Sequence, residues 1–71
     1  MYNLEEILQG STCTICWLLG SMGSTLKHIL HLDLDDTISV LYNDGISMII
    51  RHNDRTFALD AQSAHAIKVN I

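Results

Sequence analysis

The feature that most constrains the fold is a series of short apolar segments with a period of two, separated by turn signals. Such alternation is typical of strands with one buried face. The turns Asn43-Asp44-Gly45 and Asn53-Asp54 consist of residues that tolerate the backbone angles of tight hairpins. The predicted strands are Thr12 to Leu19, Thr37 to Tyr42, Ile46 to His52, Arg55 to Leu59 and Ile67 to Ile71. About five short strands joined by tight turns predict a small, partly open β-barrel.

A helix interrupts the strand series after the glycine-containing segment 20–24, which we expect to be a loop. Leu26, Ile29 and Leu30 recur at helical spacing, so the helix is predicted over Thr25 to Leu32. The expected fold is therefore mainly β with one or two short helices.

Two short helical turns complete the prediction. Asn3 can cap a turn that extends to Leu8, with Leu4, Ile7 and Leu8 on one face. Asp60 can cap a second helical segment over Ala61 to Ala66 by accepting from free backbone N–H groups.

Length and charge limit the classes of function. Residues 1–71 are expected to form a single domain, since the length allows one at most, and a chain of this size buries only roughly 60% of its unfolded surface. Four basic and eight acidic residues give a net charge of −4, without any run of Lys or Arg. A nucleic-acid footprint and docking on anionic lipid are therefore disfavoured.

The cysteines and the chain's first residues favour a cytoplasmic protein with reduced thiols. The first ten residues contain Glu5 and Glu6 but no basic segment, unlike a secretory signal. The longest apolar run has five residues, whereas a transmembrane helix needs about 20. Cys13 and Cys16 are three apart on a predicted strand and point to opposite faces, which disfavours a shared metal ion.

A second group of candidate metal ligands lies near the end of the predicted helix. His28 and His31 are three residues apart and can share a face, and Asp33 follows closely. Imidazole and carboxylate are ligands for Fe²⁺ or another divalent transition metal. The alternative interpretation is a polar helix face followed by a solvated acidic turn.

Apolar residues at outward positions suggest a surface for a protein partner. Strict alternation places Trp17 on the buried face of the first strand and Leu18 on the opposite, mostly polar face. Leu41 is also predicted to point outward, and Met22 lies in the expected loop. The alternative is that the helix or the N-terminal turn covers them. We find no nucleophile motif and no phosphate-binding loop, so the sequence predicts no enzyme.

The order of elements from Leu4 to Val69 resembles the ferrous iron transport protein A family (FeoA). Segment 4–10 resembles the leucine-containing turn and glycine that open the family's sequences. Segment 49–59 is similar to the family's hairpin of the third and fourth strands. The family's Leu-Gly-Leu-x-Pro-Gly turn corresponds to segment 30–35, where His31, Leu34 and Asp35 stand in place of Gly, Pro and Gly.

The resemblance implies an SH3-like barrel and an accessory role in ferrous iron uptake. It implies binding to a membrane ferrous iron transporter that has a cytosolic GTPase domain. By analogy, the binding surface would combine the region of Met22, the helix and the turn after it, which adds Leu30 and Leu32 to Leu18 and Leu41. SH3-like barrels also occur in metal-dependent repressors, so a metal-binding or metal-sensing domain is the alternative. A barrel with open edge strands can also form a homodimer.

Overall fold

Strand pairing organises the chain into one six-stranded antiparallel sheet in the computed structural model, which describes residues 1–71. The strand order is β1-β6-β2-β3-β4-β5. The strands are β1 (Tyr2–Asn3), β2 (Thr12–Leu18), β3 (Thr37–Asn43), β4 (Ser47–His52), β5 (Arg55–Asp60) and β6 (Ile67–Asn70). The extents of 25 × 22 × 22 Å show that the sheet curls into a partly open barrel instead of lying flat. The predicted fold class is confirmed: all five predicted strands are present, and the two-residue β1 is an addition.

Helix α1 spans Gly20–Leu30 and therefore begins five residues before its predicted start. The prediction of a loop over 20–24 was wrong because Gly23 serves close packing here. A Cβ atom on Gly23 would lie 2.6 Å from the backbone carbonyl carbon of Leu18. A glycine-containing segment that must approach a strand this closely cannot be distinguished from a flexible loop by composition alone.

Two shorter helices lie near the ends of the chain. A 3₁₀ helix spans Leu4–Glu6, and α2 spans Ala61–Ala64. Oδ1 of Asp60 accepts a 2.6 Å hydrogen bond from the Ser63 backbone N–H, which confirms the predicted cap, although α2 ends before Ala66.

The predicted cap at Asn3 was wrong. The Asn3 side chain makes no capping bond; it donates to Oε1 of Glu6 at 2.8 Å and accepts from Nζ of Lys68. Leu8 is exposed instead of sharing a buried face with Leu4 and Ile7, because the 3₁₀ helix has already ended.

The core contains fifteen buried apolar residues drawn from the sheet, the helices and the connections between them. They are Leu4, Ile7, Cys13, Ile15, Leu26, Leu30, Leu32, Ile38, Val40, Met48, Ile50, Leu59, Ala64, Ile67 and Val69. Leu30 lies on the buried face of α1. Leu32 follows a left-handed turn in which its N–H donates to the carbonyl of Lys27 at 3.2 Å, so that its side chain turns back into the core.

Two β-bulges change which side chains face the core. The register of β2 against β6 shifts between Ile15 and Trp17, and that of β3 against β4 shifts between Val40 and Tyr42. Trp17 and Tyr42 are therefore exposed, whereas Leu18 is half-buried against the core. The predictions that Trp17 faces inward and Leu18 faces outward were wrong because an extra residue reverses the alternation beyond the bulge.

The turn between α1 and β3 has an unusual backbone. His31 ends α1 with a φ of 55°, and Asp35 has a φ of 73°. Both values lie in the left-handed region that favours glycine. These are the two positions at which the resembled motif carries glycine. The conformation that glycine would favour is thus present here without glycine.

Candidate partner-binding groove

The acidic turn 33–36 is attached to the middle of β2. The N–H of Asp35 donates to the carbonyl of Ile15 at 2.7 Å, and the N–H of Ile15 donates to the carbonyl of Asp36 at 2.9 Å. This attachment brings Leu34, in the centre of the turn, to the same groove as Trp17, which the bulge directs outward.

An open groove of about 240 Å³ lies between the end of β2, helix α1 and the acidic turn. Its apolar walls are Trp17, Leu18 and Leu34. Helix α1 contributes the rest of the lining, namely Gly20, Gly23, Ser24 and Lys27. The two glycines have no side chains that would fill the space beside the helix.

The chemistry of this groove suits an apolar side chain that lies next to a negative charge. Trp17 is 53% and Leu34 is 47% exposed, which is high for side chains of this size. Lys27 is the only charged residue in the lining. Its Nζ lies 4.0 Å from Oδ1 of Asp33, and both side chains are largely exposed, so this ion pair is weak. Lys27 is consequently able to pair with a carboxylate of a bound partner.

Only some of the predicted partner residues lie at this groove. Leu18 lines it, whereas Met22 and Leu41 are exposed outside its lining. Leu30 and Leu32 are only 5% and 0% exposed, so they belong to the core and are withdrawn from the predicted binding surface.

Sequence reasoning missed Trp17 and Leu34. Leu34 carries a usable signal, because a leucine flanked by Asp33 and Asp35 in a short turn has little chance of being buried. The sequence gives no such indication for Trp17, since its exposure depends on a bulge in the pairing of β2 with β6.

The predicted metal ligands lie close together without forming a ligand set. His28, His31 and Asp33 line one shallow depression with Lys27 and Leu32. No three His, Cys, Asp or Glu side chains converge closely enough to hold a metal ion, so the residues present do not fit a metal centre in this conformation.

The cysteines are free, and Cys13 is buried whereas Cys16, at the bulge of β2, is half-buried. Burial raises the pKa of Cys13 to about 11, with a further contribution from the nearby Cys16. The Cys13 thiol is therefore protonated near neutral pH and is a poor ligand or nucleophile.

A buried histidine fixes the acidic turn to the sheet. His52 is 4% exposed, and its Nε2 lies 2.7 Å from Oδ2 of Asp36. The same carboxylate oxygen accepts from the Asp33 N–H at 3.0 Å. The hydrogen bond from Asp33 and the contact with His52 lower the pKa of Asp36. Sequence reasoning did not single out this pair, although His52 continues the buried face of Met48 and Ile50.

No family model matches the chain, and no curated protein matches it in sequence. Solved structures do match it. The chain is similar to the crystal structure of an iron uptake regulatory protein, FeoA, with a TM-score of 0.86 and 24% identity over 96% of this chain and 93% of that chain. It is also similar to a manganese-dependent transcriptional repressor, with a TM-score of 0.80 and 21% identity over 96% of this chain but 40% of that chain. The chain therefore has the FeoA-like, SH3-like barrel fold. Neither α1 nor α2 has the length and hydropathy that a membrane-spanning helix requires.

Proposed function

We propose that this chain is a cytoplasmic, non-enzymatic accessory protein of ferrous iron uptake. It binds the cytosolic part of a membrane ferrous iron transporter that has a GTPase domain, and it modulates that transporter. The groove formed by Trp17, Leu34 and Lys27 is the proposed contact surface, and exposed Met22 and Leu41 extend it.

The observation that supports this proposal is the end-to-end agreement with FeoA. The match covers nearly all of both chains, whereas the repressor has more than half of its length outside the match. An exposed tryptophan beside an exposed leucine adds a physical reason to expect a protein partner, because aromatic side chains are enriched at interfaces.

Capture of the detergent-solubilised transporter of the same genome by the purified chain tests this function. We expect specific capture, which is measured with and without a GTP analogue. Leu34→Asp introduces a charge at the apolar wall and is expected to reduce capture at least about tenfold, since a buried contact of this size contributes on the order of 1–3 kcal/mol.

Leu8→Asp is the matched control, because Leu8 is exposed but does not line the groove. It should leave capture unchanged. Failure of the folded wild-type chain to capture the transporter would contradict the proposed function. Capture that both variants retain would instead move the contact surface away from the groove.

A metal-binding or metal-sensing domain is the second candidate, and the similarity to the manganese-dependent repressor favours it. Such a role requires His28, His31 and Asp33 to rearrange around Fe²⁺ or another divalent transition metal. Anaerobic calorimetry with Fe²⁺, Zn²⁺ and Mn²⁺ tests it: a flat titration excludes it, and binding that His28→Ala plus His31→Ala abolishes supports it.

A further inference from the structure

The two edges of the sheet differ in how much backbone they leave unpaired. At one edge, β1 has only two residues, both paired with β6. At the other edge, β5 has six residues that pair with β4 on one side only. A long edge strand is a template for pairing with another chain unless the fold protects it.

The unpaired groups of β5 can be assigned from its hairpin. The two-residue turn Asn53-Asp54 makes His52 and Arg55 the closing pair of β4 and β5. In such a hairpin the closing pair is hydrogen-bonded, and every second pair after it repeats this pattern. The N–H and C=O groups of Thr56 and Ala58 and the N–H of Asp60 therefore point away from β4. None of them takes part in a turn or loop hydrogen bond.

Most of the usual protections of an edge strand are missing from β5, whose only charged residues lie at its two ends. It contains no proline and no lysine, and its pairing with β4 has no bulge. Thr56 and Ala58 are exposed, so neither α2 nor another segment covers them. Natural edge strands that stay monomeric commonly use one of these devices.

The residues of β5 are complementary to those of a second, antiparallel copy. With Ala58 opposite its own copy, each Thr56 comes opposite Asp60 of the second copy on the exposed face of the sheet, and each half-buried Phe57 comes opposite Leu59 of the second copy. The small side chain of Ala58 permits this close approach at the twofold axis.

We propose that two copies of this chain pair through their β5 strands, antiparallel and centred on Ala58, to form a continuous twelve-stranded sheet. The occupant of the β5 edge is thus a second copy of the chain. This proposal is independent of the proposed role in iron uptake, because it concerns the edge and not the groove.

Sedimentation velocity of the purified chain between about 10 µM and about 1 mM tests the proposal, since mass action makes the dimer dependent on concentration. We expect a monomer at the low end and a dimer at the high end. In the dimer, the amide protons of Thr56 and Ala58 should exchange with solvent at least about tenfold more slowly than in the monomer.

A charge pair at Ala58 tests the register. Ala58→Lys and Ala58→Glu each place like charges opposite each other and should give monomers, whereas an equimolar mixture of the two variants should dimerise again. Ile49→Lys is the matched control, because Ile49 lies opposite Ala58 on β4 but not at the edge. It should leave the dimer intact.

Three outcomes would overturn the proposal. The wild-type chain could stay monomeric at the highest concentration. A dimer could form that Ala58→Lys does not disrupt. The mixture of the two charged variants could stay monomeric although circular dichroism shows that both are folded.

Discussion

At the scale of single residues, His31 and Asp35 adopt a strained backbone conformation in the turn that contains Leu34. A residue with a Cβ in the left-handed region is less stable by about 1–2 kcal/mol than it would be in a right-handed conformation. The turn persists because Leu32 is buried on one side and Ile15 pairs with Asp35 on the other. The core and the sheet thus stabilise a local geometry that these residues disfavour.

His31→Gly should therefore increase the free energy of unfolding by about 0.5–1 kcal/mol, after the greater freedom of glycine in the unfolded chain is subtracted. His28→Gly is the matched control, since His28 is an exposed residue inside α1. It should lower the free energy of unfolding by about 0.5–1 kcal/mol. Urea unfolding of both variants measures the difference, and a loss of stability in His31→Gly would contradict the strain argument.

At the scale of elements, the packing of α1 against the end of β2 depends on one glycine. Gly23 is buried, and its backbone lies directly against that of Leu18. A Cβ added to Gly23 would lie 2.6 Å from the Leu18 carbonyl carbon, which is shorter than any normal contact, and a backbone atom cannot move aside as a side chain can. This close packing also sets the width of the groove, because both residues line it.

Gly23→Ala should lower the free energy of unfolding by about 1–2 kcal/mol, because overpacking outweighs the gain in helix propensity of about 1 kcal/mol. Ser24→Ala, at the exposed neighbouring position, gains propensity without a clash and should be neutral or slightly stabilising. Chemical denaturation compares the two variants. Equal stabilisation by both would show that the helix shifts at little cost.

At the scale of the whole molecule, ionised aspartates stabilise three separate connections. Asp36 accepts from the acidic turn and contacts His52, and Asp60 caps α2. Asp44 accepts from the backbone N–H groups of Ile46 and Ser47 at 2.8 and 2.7 Å. These hydrogen bonds lower the pKa of all three carboxyl groups, that of Asp44 to about 2.

Because each of these pKa values is lower in the folded than in the unfolded chain, ionisation stabilises the fold above about pH 4. That contribution is lost as the pH falls through the folded-state values. We expect the thermal midpoint to fall steeply between about pH 4 and pH 2. Asp44→Asn should lower the midpoint at pH 7 and flatten its decline in acid.

Asp54→Asn is the control for that measurement, because the Asp54 side chain accepts no hydrogen bond from another residue of the chain. The thermal midpoint of Asp54→Asn should fall in acid as steeply as that of the wild type. If the thermal midpoint of Asp44→Asn fell in acid as steeply as that of the wild type, the turn at Asp44 would not contribute to the pH dependence.

The sequence by itself determined those features whose cause is local. Period-two alternation and the Asn43-Asp44-Gly45 and Asn53-Asp54 turns predict all five long strands to within one residue at one end. The cap at Asp60 is also local, because its acceptor and the Ser63 donor are three residues apart.

Only the tertiary structure decided what happens where distant segments meet. The bulges in β2 and β3 arise from pairing with other strands, and they decide that Trp17 is exposed and Leu18 is half-buried. Leu32 is buried because a left-handed residue redirects the chain after α1. The groove itself exists because the turn at Leu34 hydrogen-bonds to β2, a contact between segments about twenty residues apart that no local pattern encodes.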